Sequence, residues 1–204
     1  MPLKKLLIIF YRNPELGKVK SRLAKTLGEE KTLAIYLHLA SHTQEVTKGL
    51  KEKKWVFYDR FIDREDFWEN SIFEKRLQQG VGLGERMEDA FRQGFQAGFN
   101  SIVIIGTDCY ALTSSLLEQA FDFLETQDAI LGPARDGGYY ALGLRSFHAC
   151  LFQGKPWGKA SVGSLTVKDF EKLRWRYSTL PTLSDVDEEK DLPLELISRL
   201  ADHP

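Results

Sequence analysis

The chain has 204 residues, 43% of them hydrophobic, enough for one large domain with a sizeable core and too apolar for a disordered segment. Its formal net charge of −1 speaks against broad electrostatic binding to nucleic acid or to an anionic membrane, although a local basic loop can still hold a small anion. Two isolated thiols (Cys109 and Cys150), no signal-peptide pattern in MPLKKLLIIF and no apolar run of membrane-spanning length together predict a soluble, cytoplasmic protein.

Residues 4–10 (KKLLIIF) are short, apolar and followed by a polar loop, which predicts a buried strand of a parallel sheet. Residues 11–18 form that loop, punctuated by Pro14 and Gly17, and 19–27 form a helix stopped by Gly28. Across 29–50, Leu33, Tyr36, Leu37, Ala40, Val46 and Leu50 recur at helical spacing. Residues 55–59 (WVFYD) predict a second strand, 60–72 an irregular stretch and 74–79 a short strand. A glycine-rich turn then opens a helix within 80–99, with Met87, Phe91 and Phe95 on one face. The clearest strand is SIVIIGTD (101–108), whose apolar run leads into Gly106, Thr107 and Asp108. Residues 113–127 predict a capped helix, 129–133 and 139–144 strands, 162–174 a helix and 175–180 a strand. Residues 183–200 hold an acidic turn and then a helix. Strands alternating with helices, with no linker, repeat or low-complexity segment, predict a single α/β domain over residues 1–204. Its architecture is a three-layer α/β/α sandwich with a mostly parallel sheet.

In such a sheet, ligands bind beyond the carboxyl ends of the strands. The loop after the first strand carries Arg12, Lys18, Lys20 and Arg22, cations suited to phosphate at a helix start. It is neither a Walker loop nor GxGxxG, and on this stretch alone a solvated basic turn stands level with a phosphate site. Asp108 ends an apolar strand, where a carboxylate meets a divalent cation on a diphosphate or else caps a turn. In DGGYY (136–140), Gly137 and Gly138 let backbone approach a ligand or supply a positive φ; Asp136 is placed to meet substrate hydroxyls or act as a base. The acidic cluster Asp185, Asp187, Glu188, Glu189 and Asp191 offers a second metal carboxylate, Asp187 foremost; for Glu188 and Glu189 a helix-start role is favoured. Gly80, Gly82 and Gly84 precede a helix, so a ligand pressing on that backbone is a weaker expectation. His38, His42, His148 and His203 lack ligand-like spacing.

Taken in order, these stretches resemble small bacterial proteins of the nucleotide-diphospho-sugar transferase (GT-A) superfamily, of the arsenosugar-biosynthesis glycosyltransferase type. They are more distantly similar to phospholactate and molybdenum-cofactor guanylyltransferases. The resemblance rests on Pro14 to Leu23 against P-x-x-G-x-x-K-[ST]-R-L and on Gly82-Leu83-Gly84-Glu85-Arg86-Met87 against G-x-L-G-x-R-M, here without the pattern's extra spacing residue. It continues through GTDCY at 106–110, GPARDGGYY at 132–140 and DVDEEKDL at 185–192. Tyr110 stands where the pattern has Pro, and PWGKASV (156–162) replaces a Trp-Ser-Thr stretch.

The resemblance implies a GT-A-like fold and a metal-dependent glycosyltransferase acting on a nucleotide-diphospho-sugar donor and a small-molecule acceptor, with no nucleic acid and no membrane span. It implies nucleotide or phosphate binding by Arg12, Lys18, Lys20, Arg22, Gly82, Gly84 and Arg86, and Mg²⁺ or Mn²⁺ held by Asp108 and Asp187. Catalysis would fall to Asp108, Asp136 and Lys20, and substrate binding to Asp136, Gly137, Gly138 and Tyr139. The rival in the same fold is a nucleotidyltransferase joining a nucleotide to a phosphorylated acceptor. The departures at Tyr110 and Trp157-Gly158-Lys159 motivate a third reading, a non-catalytic nucleotide-binding protein. A Rossmann oxidoreductase is disfavoured because no GxGxxG follows the first strand. All of these site assignments require the cations near Arg22 and the carboxylate of Asp108 to face one cleft.

Overall fold

A computed structural model describes residues 3–193, Leu196 and Ile197. The first four strands, β1 (Lys5–Tyr11), β2 (Lys53–Tyr58), β3 (Phe73–Leu77) and β4 (Ser101–Ile105), all run parallel. They join β5 (Ala129–Pro133), β6 (Tyr139–Leu144) and β7 (Tyr177–Thr179) in one sheet of order β3-β2-β1-β4-β6-β5-β7. Only β6 runs against its neighbours. The expected mixed α/β architecture with a mostly parallel sheet is therefore the one found.

The period of two along each strand sorts the core onto two faces. Leu7, Ile9 and Tyr11 of β1 pack with Val56, Val103 and Ile105 against α2 (Glu29–Lys48) and α4 (Ser114–Phe123). Leu6 and Ile8 pack with Phe57, Ile102 and Ile104 against α3 (Leu83–Gln96) and α5 (Val162–Lys172). Met87 and Phe91 of α3 are buried on that second face and Phe95 partly so, as their spacing predicts.

Two helices depart from expectation in detail. The buried face of α2 is Thr32, Ile35, Tyr36, Leu39, Ala40, Thr43, Gln44 and Thr47, while Leu37 is 37% exposed. Thr43 and Thr47 serve in this core because their hydroxyls bond back into their own helix, Thr43 to the Leu39 carbonyl (3.1 Å) and Thr47 to the Thr43 carbonyl (2.7 Å). The helix expected from residue 19 instead begins as α1 (Ser21–Leu27), because Lys20 adopts a left-handed backbone. A one-turn 3₁₀ helix occupies Glu189–Asp191, and Leu196 and Ile197 are helical, as expected before residue 200; the remaining residues of that helix, and His203, lie outside the described residues.

The register sets where chemistry gathers. Tyr11 pairs with Tyr58, Tyr58 with Leu77 and Ile9 with Ile105, so Arg12, Asp59, Gln78 and Gly106–Asp108 emerge side by side. Antiparallel β6 brings its first residues to that same edge, with Ala141 opposite Ile105. A late segment closes the rim: Arg135 donates its backbone N–H to the Leu183 carbonyl (2.9 Å) and Val186 to that of Asp108 (2.9 Å). Val186 is 1% exposed in a satellite core with Leu23, Ile35 and Leu39. Its burial contributes about 1.5–3 kcal/mol to holding Asp185 and Asp187 in place.

Candidate functional site

The loop after β1 is fastened before it presents charge. Asn13, 1% exposed, accepts the backbone N–H groups of Arg60 and Phe61 (both 3.2 Å), donates to the Phe61 carbonyl (3.0 Å), and gives its own N–H to Asp59 Oδ1 (2.7 Å). Tyr36 of α2 accepts the Arg12 N–H (3.0 Å) and donates its hydroxyl to the Arg12 carbonyl (2.8 Å). Burial, reinforced by Asp108, pushes the Tyr36 phenol far above its ordinary range, so it stays a neutral donor.

Lys20 is the centre of this arrangement. Its φ of 47° and ψ of 49° are rare outside glycine and cost about 1–2 kcal/mol. Its Nζ lies 2.9 Å from Asp108 Oδ1 and 3.0 Å from Asp187 Oδ1, with the lysine side chain 6% exposed and each aspartate 44%. Burial alone would lower the Lys20 pKa; Asp108 and Asp187 overcome it and hold the ammonium above its ordinary range. The two aspartates, some eighty residues apart in sequence, share one cation and keep exposed oxygens for a ligand.

These residues line a cavity of about 250 Å³ that brings Arg12, Lys20, Ser21, Arg22, Asp108 and Asp187 together. Arg22 and Asp108 thus face one cleft, while exposed Lys18 is absent from its lining. A second cavity, of about 520 Å³, shares Arg12, Tyr36 and Asp108 with the first. On one side it reaches Asp59, Gln78 and Arg86, on the other Asp136, Gly138, Tyr139, Trp157 and Lys159, and it includes Asp185. Gln78 ties the strand ends to Arg86: its amide donates to the Phe57 carbonyl (2.9 Å) and its oxygen accepts from Arg86 (3.3 Å). Arg86 also donates through Nε to the Gly80 carbonyl (3.1 Å).

The glycines are placed differently from the cations. Gly82 caps α3 with open space around it and lines neither cavity. Gly84 lies under Trp157, whose Nε1 would sit 2.2 Å from a Cβ there. Gly137 has φ +88°, and a Cβ would come within 2.1 Å of the Ala160 carbonyl oxygen. The Gly163 N–H donates to the Gly137 carbonyl at 3.0 Å. Both of these glycines make room for the chain's own 157–163 segment, which walls the larger cavity. Asp136 accepts the Gly138 N–H (2.8 Å) and so builds its own turn, while still facing that cavity.

Asp59 and Gln78 carry no assignment from the sequence, and Trp157 stands there only as a departure from the family pattern. Asp59 carried a usable signal, an acid at the end of an apolar strand, the same signal that marks Asp108. Asp185 was hidden in an acidic run. It is half-buried; burial first and Asp108 next raise its pKa to about 7, Lys20 opposes them, and Asp136 and Asp187 add to the rise. Cys109 is a packed neighbour whose thiol burial pushes up to about 12, leaving it unreactive at neutral pH. Tyr110 lies outside both cavities, its ring 4.7 Å from that of His42 and 5.8 Å from that of His38. Among the described residues, no group of three or more His, Cys, Asp or Glu is arranged to hold a metal ion. Among them, too, no helix is long and apolar enough to cross a membrane.

Residues 42–159, more than half of the chain, match the family described as "Uncharacterized protein conserved in bacteria (DUF2064)". The chain belongs to the DUF2064 family. It is 31% identical to a solved protein from Desulfovibrio desulfuricans G20, described as a "putative nucleotide-diphospho-sugar transferase". That match covers 92% of this chain and 84% of the other, with a TM-score of 0.84. The fold is shared more distantly with a cytidylyltransferase from Leptospira borgpetersenii (15% identity, TM-score 0.55, 100% and 96% of the two chains). It is shared too with 4-diphosphocytidyl-2C-methyl-D-erythritol synthase from Anaerococcus prevotii (9% identity, TM-score 0.60, 98% and 96%). No curated protein matches the sequence. This DUF2064 chain therefore has the fold of nucleotide-diphospho-sugar transferases and cytidylyltransferases.

Proposed function

We propose that this DUF2064 protein is a metal-dependent glycosyltransferase that takes a nucleotide-diphospho-sugar and passes the sugar to a small acceptor. One observation carries the reading: Arg12, Lys20 and Arg22 converge with Asp108 and Asp187 on a small cavity adjoining a larger one. The description of the 31% identical D. desulfuricans protein and the resemblance to arsenosugar-type glycosyltransferases support it.

Breaking a sugar–phosphate bond leaves negative charge on the departing diphosphate, and preorganised cations lower the energy of that charge as it develops. Arg12 and Arg22 supply it from the exposed side of the small cavity. Lys20 supplies it from below, held protonated by its two aspartates. Asp108 and Asp187 are hard oxygen donors, and the pair suits Mg²⁺ or Mn²⁺, which fill their remaining positions with phosphate oxygens and water. When bound, the metal would act as a Lewis acid toward the diphosphate. Tyr139, Trp157 and Asp136 would wall the acceptor, with Gly137 fixing the backbone that presents them.

The cytidylyltransferase folds favour one second reading, transfer of a nucleotide with release of pyrophosphate. Incubation with nucleotide sugars and with nucleoside triphosphates, each with Mg²⁺ or Mn²⁺, separates the two. The glycosyl reading expects nucleoside diphosphate as product from the nucleotide sugar. Pyrophosphate release from a triphosphate with no sugar requirement overturns it.

A further inference from the structure

Taking the donor reading above as its base, we propose that the acceptor enters as an unphosphorylated hydroxyl or amine compound, recognised by the carboxylates of Asp136 and Asp185. The two adjoining cavities differ in their balance of charge. Arg12, Lys20 and Arg22 face Asp108 and Asp187 in the small one, where a donor diphosphate belongs. The larger cavity shares Arg12 and Asp108 with it and sets Asp59, Asp136 and Asp185 against Arg86 and Lys159. Asp185 lies within electrostatic range of Asp108, Asp136 and Asp187.

These carboxylates have oxygens to offer. Asp136 spends one oxygen on the Gly138 N–H, and the Asp185 carboxylate receives no hydrogen bond from the described residues. Lys20, the cation acting on Asp185, is already engaged by Asp108 and Asp187. Of the cations lining the larger cavity, Arg12 is shared with the small one, Arg86 is tied to Gly80 and Gln78, and Lys159 is exposed. Carboxylate oxygens with no partner accept hydrogen bonds, so they suit the O–H groups of a polyol or the N–H groups of an amine. The phosphate group of a monoester dianion brings only further acceptors to these oxygens.

The test is titration calorimetry at fixed ionic strength, with nucleoside diphosphate and Mn²⁺ already saturating the protein. The probes are matched pairs: glucose and glucose 6-phosphate, glycerol and glycerol 3-phosphate, ethanolamine and phosphoethanolamine. The unphosphorylated member should bind at least about tenfold more tightly wherever binding is seen, and in Asp136→Asn and Asp185→Asn proteins of intact fold that preference should shrink at least about threefold. Equal or tighter binding of a phosphate ester overturns the inference, as does failure of every unphosphorylated probe to bind. A preference unchanged in both variants removes the assignment to these carboxylates. If nucleoside diphosphate itself does not bind, the donor reading falls and the acceptor assignment with it.

Discussion

The two sides of the cleft are built by opposite means. Around the small cavity the β1 loop and the start of α1 project long charged side chains, and Arg12, Lys20 and Arg22 deliver their charge to the cavity wall. Beside the larger cavity the sequence removes side chains, and the space left by Gly84 and Gly137 is filled by Trp157 and Ala160 of the same chain. A charged loop residue is therefore best understood by what it reaches. A glycine is best understood by what presses on it, and here the pressure comes from protein.

That contrast is broken most severely at Lys20. Lys20→Ala should cut turnover of the donor by about 10²–10³-fold, the scale of losing one preorganised charge-stabilising donor. Steady-state kinetics with a fold check by circular dichroism measures it. Next in size is Gly137→Ala, which combines a left-handed backbone with a carbonyl clash. Denaturant unfolding should show a loss of about 2–4 kcal/mol, against less than about 0.5 kcal/mol for Gly82→Ala in open space. A similar cost at both positions would contradict the distinction between them.

Asp185 sharpens the comparison on the larger cavity through pH. Its folded pKa of about 7 stands above its ordinary value of 3.8, so folding favours the protonated form. The group's contribution to stability is fully present below about pH 4 and is lost as pH rises through about 7. Asp185→Asn should therefore stabilise the fold by about 1–2 kcal/mol at pH 8 and by nearly nothing at pH 4, read from thermal unfolding at both. The smallest effect belongs to Lys18, which lines neither cavity: Lys18→Ala should change nucleoside diphosphate affinity by less than about twofold, where Arg22→Ala weakens it about tenfold.

Most of the fold was legible because apolar runs and punctuation are local signals. Leu6 to Ile9 and Ile102 to Ile105 announce buried strands without any knowledge of their partners. The cationic loop and Asp108 were legible for a related reason: an α/β sheet places strand-end residues at one rim. What stayed hidden was set by distant contacts. The left-handed turn at Lys20 accompanies an ammonium held by two aspartates far along the chain. The role of Gly84 depends on Trp157, seventy-three positions later, and the buried threonine face of α2 depends on backbone hydrogen bonds that a hydrophobicity pattern does not register. Asp185 and Asp187 sit two apart in one acidic run, yet Asp187 meets Lys20 while Asp185 faces the larger cavity.

Whether the Arg12–Lys20–Arg22 face binds a diphosphate is decided by calorimetric titration of a nucleoside diphosphate with Mn²⁺ into wild-type, Lys20→Ala and Arg22→Ala proteins. Saturable binding by the wild type, weakened about tenfold or more in each folded variant, is the predicted result. Binding of equal strength in all three proteins, or none in the wild type, would contradict it.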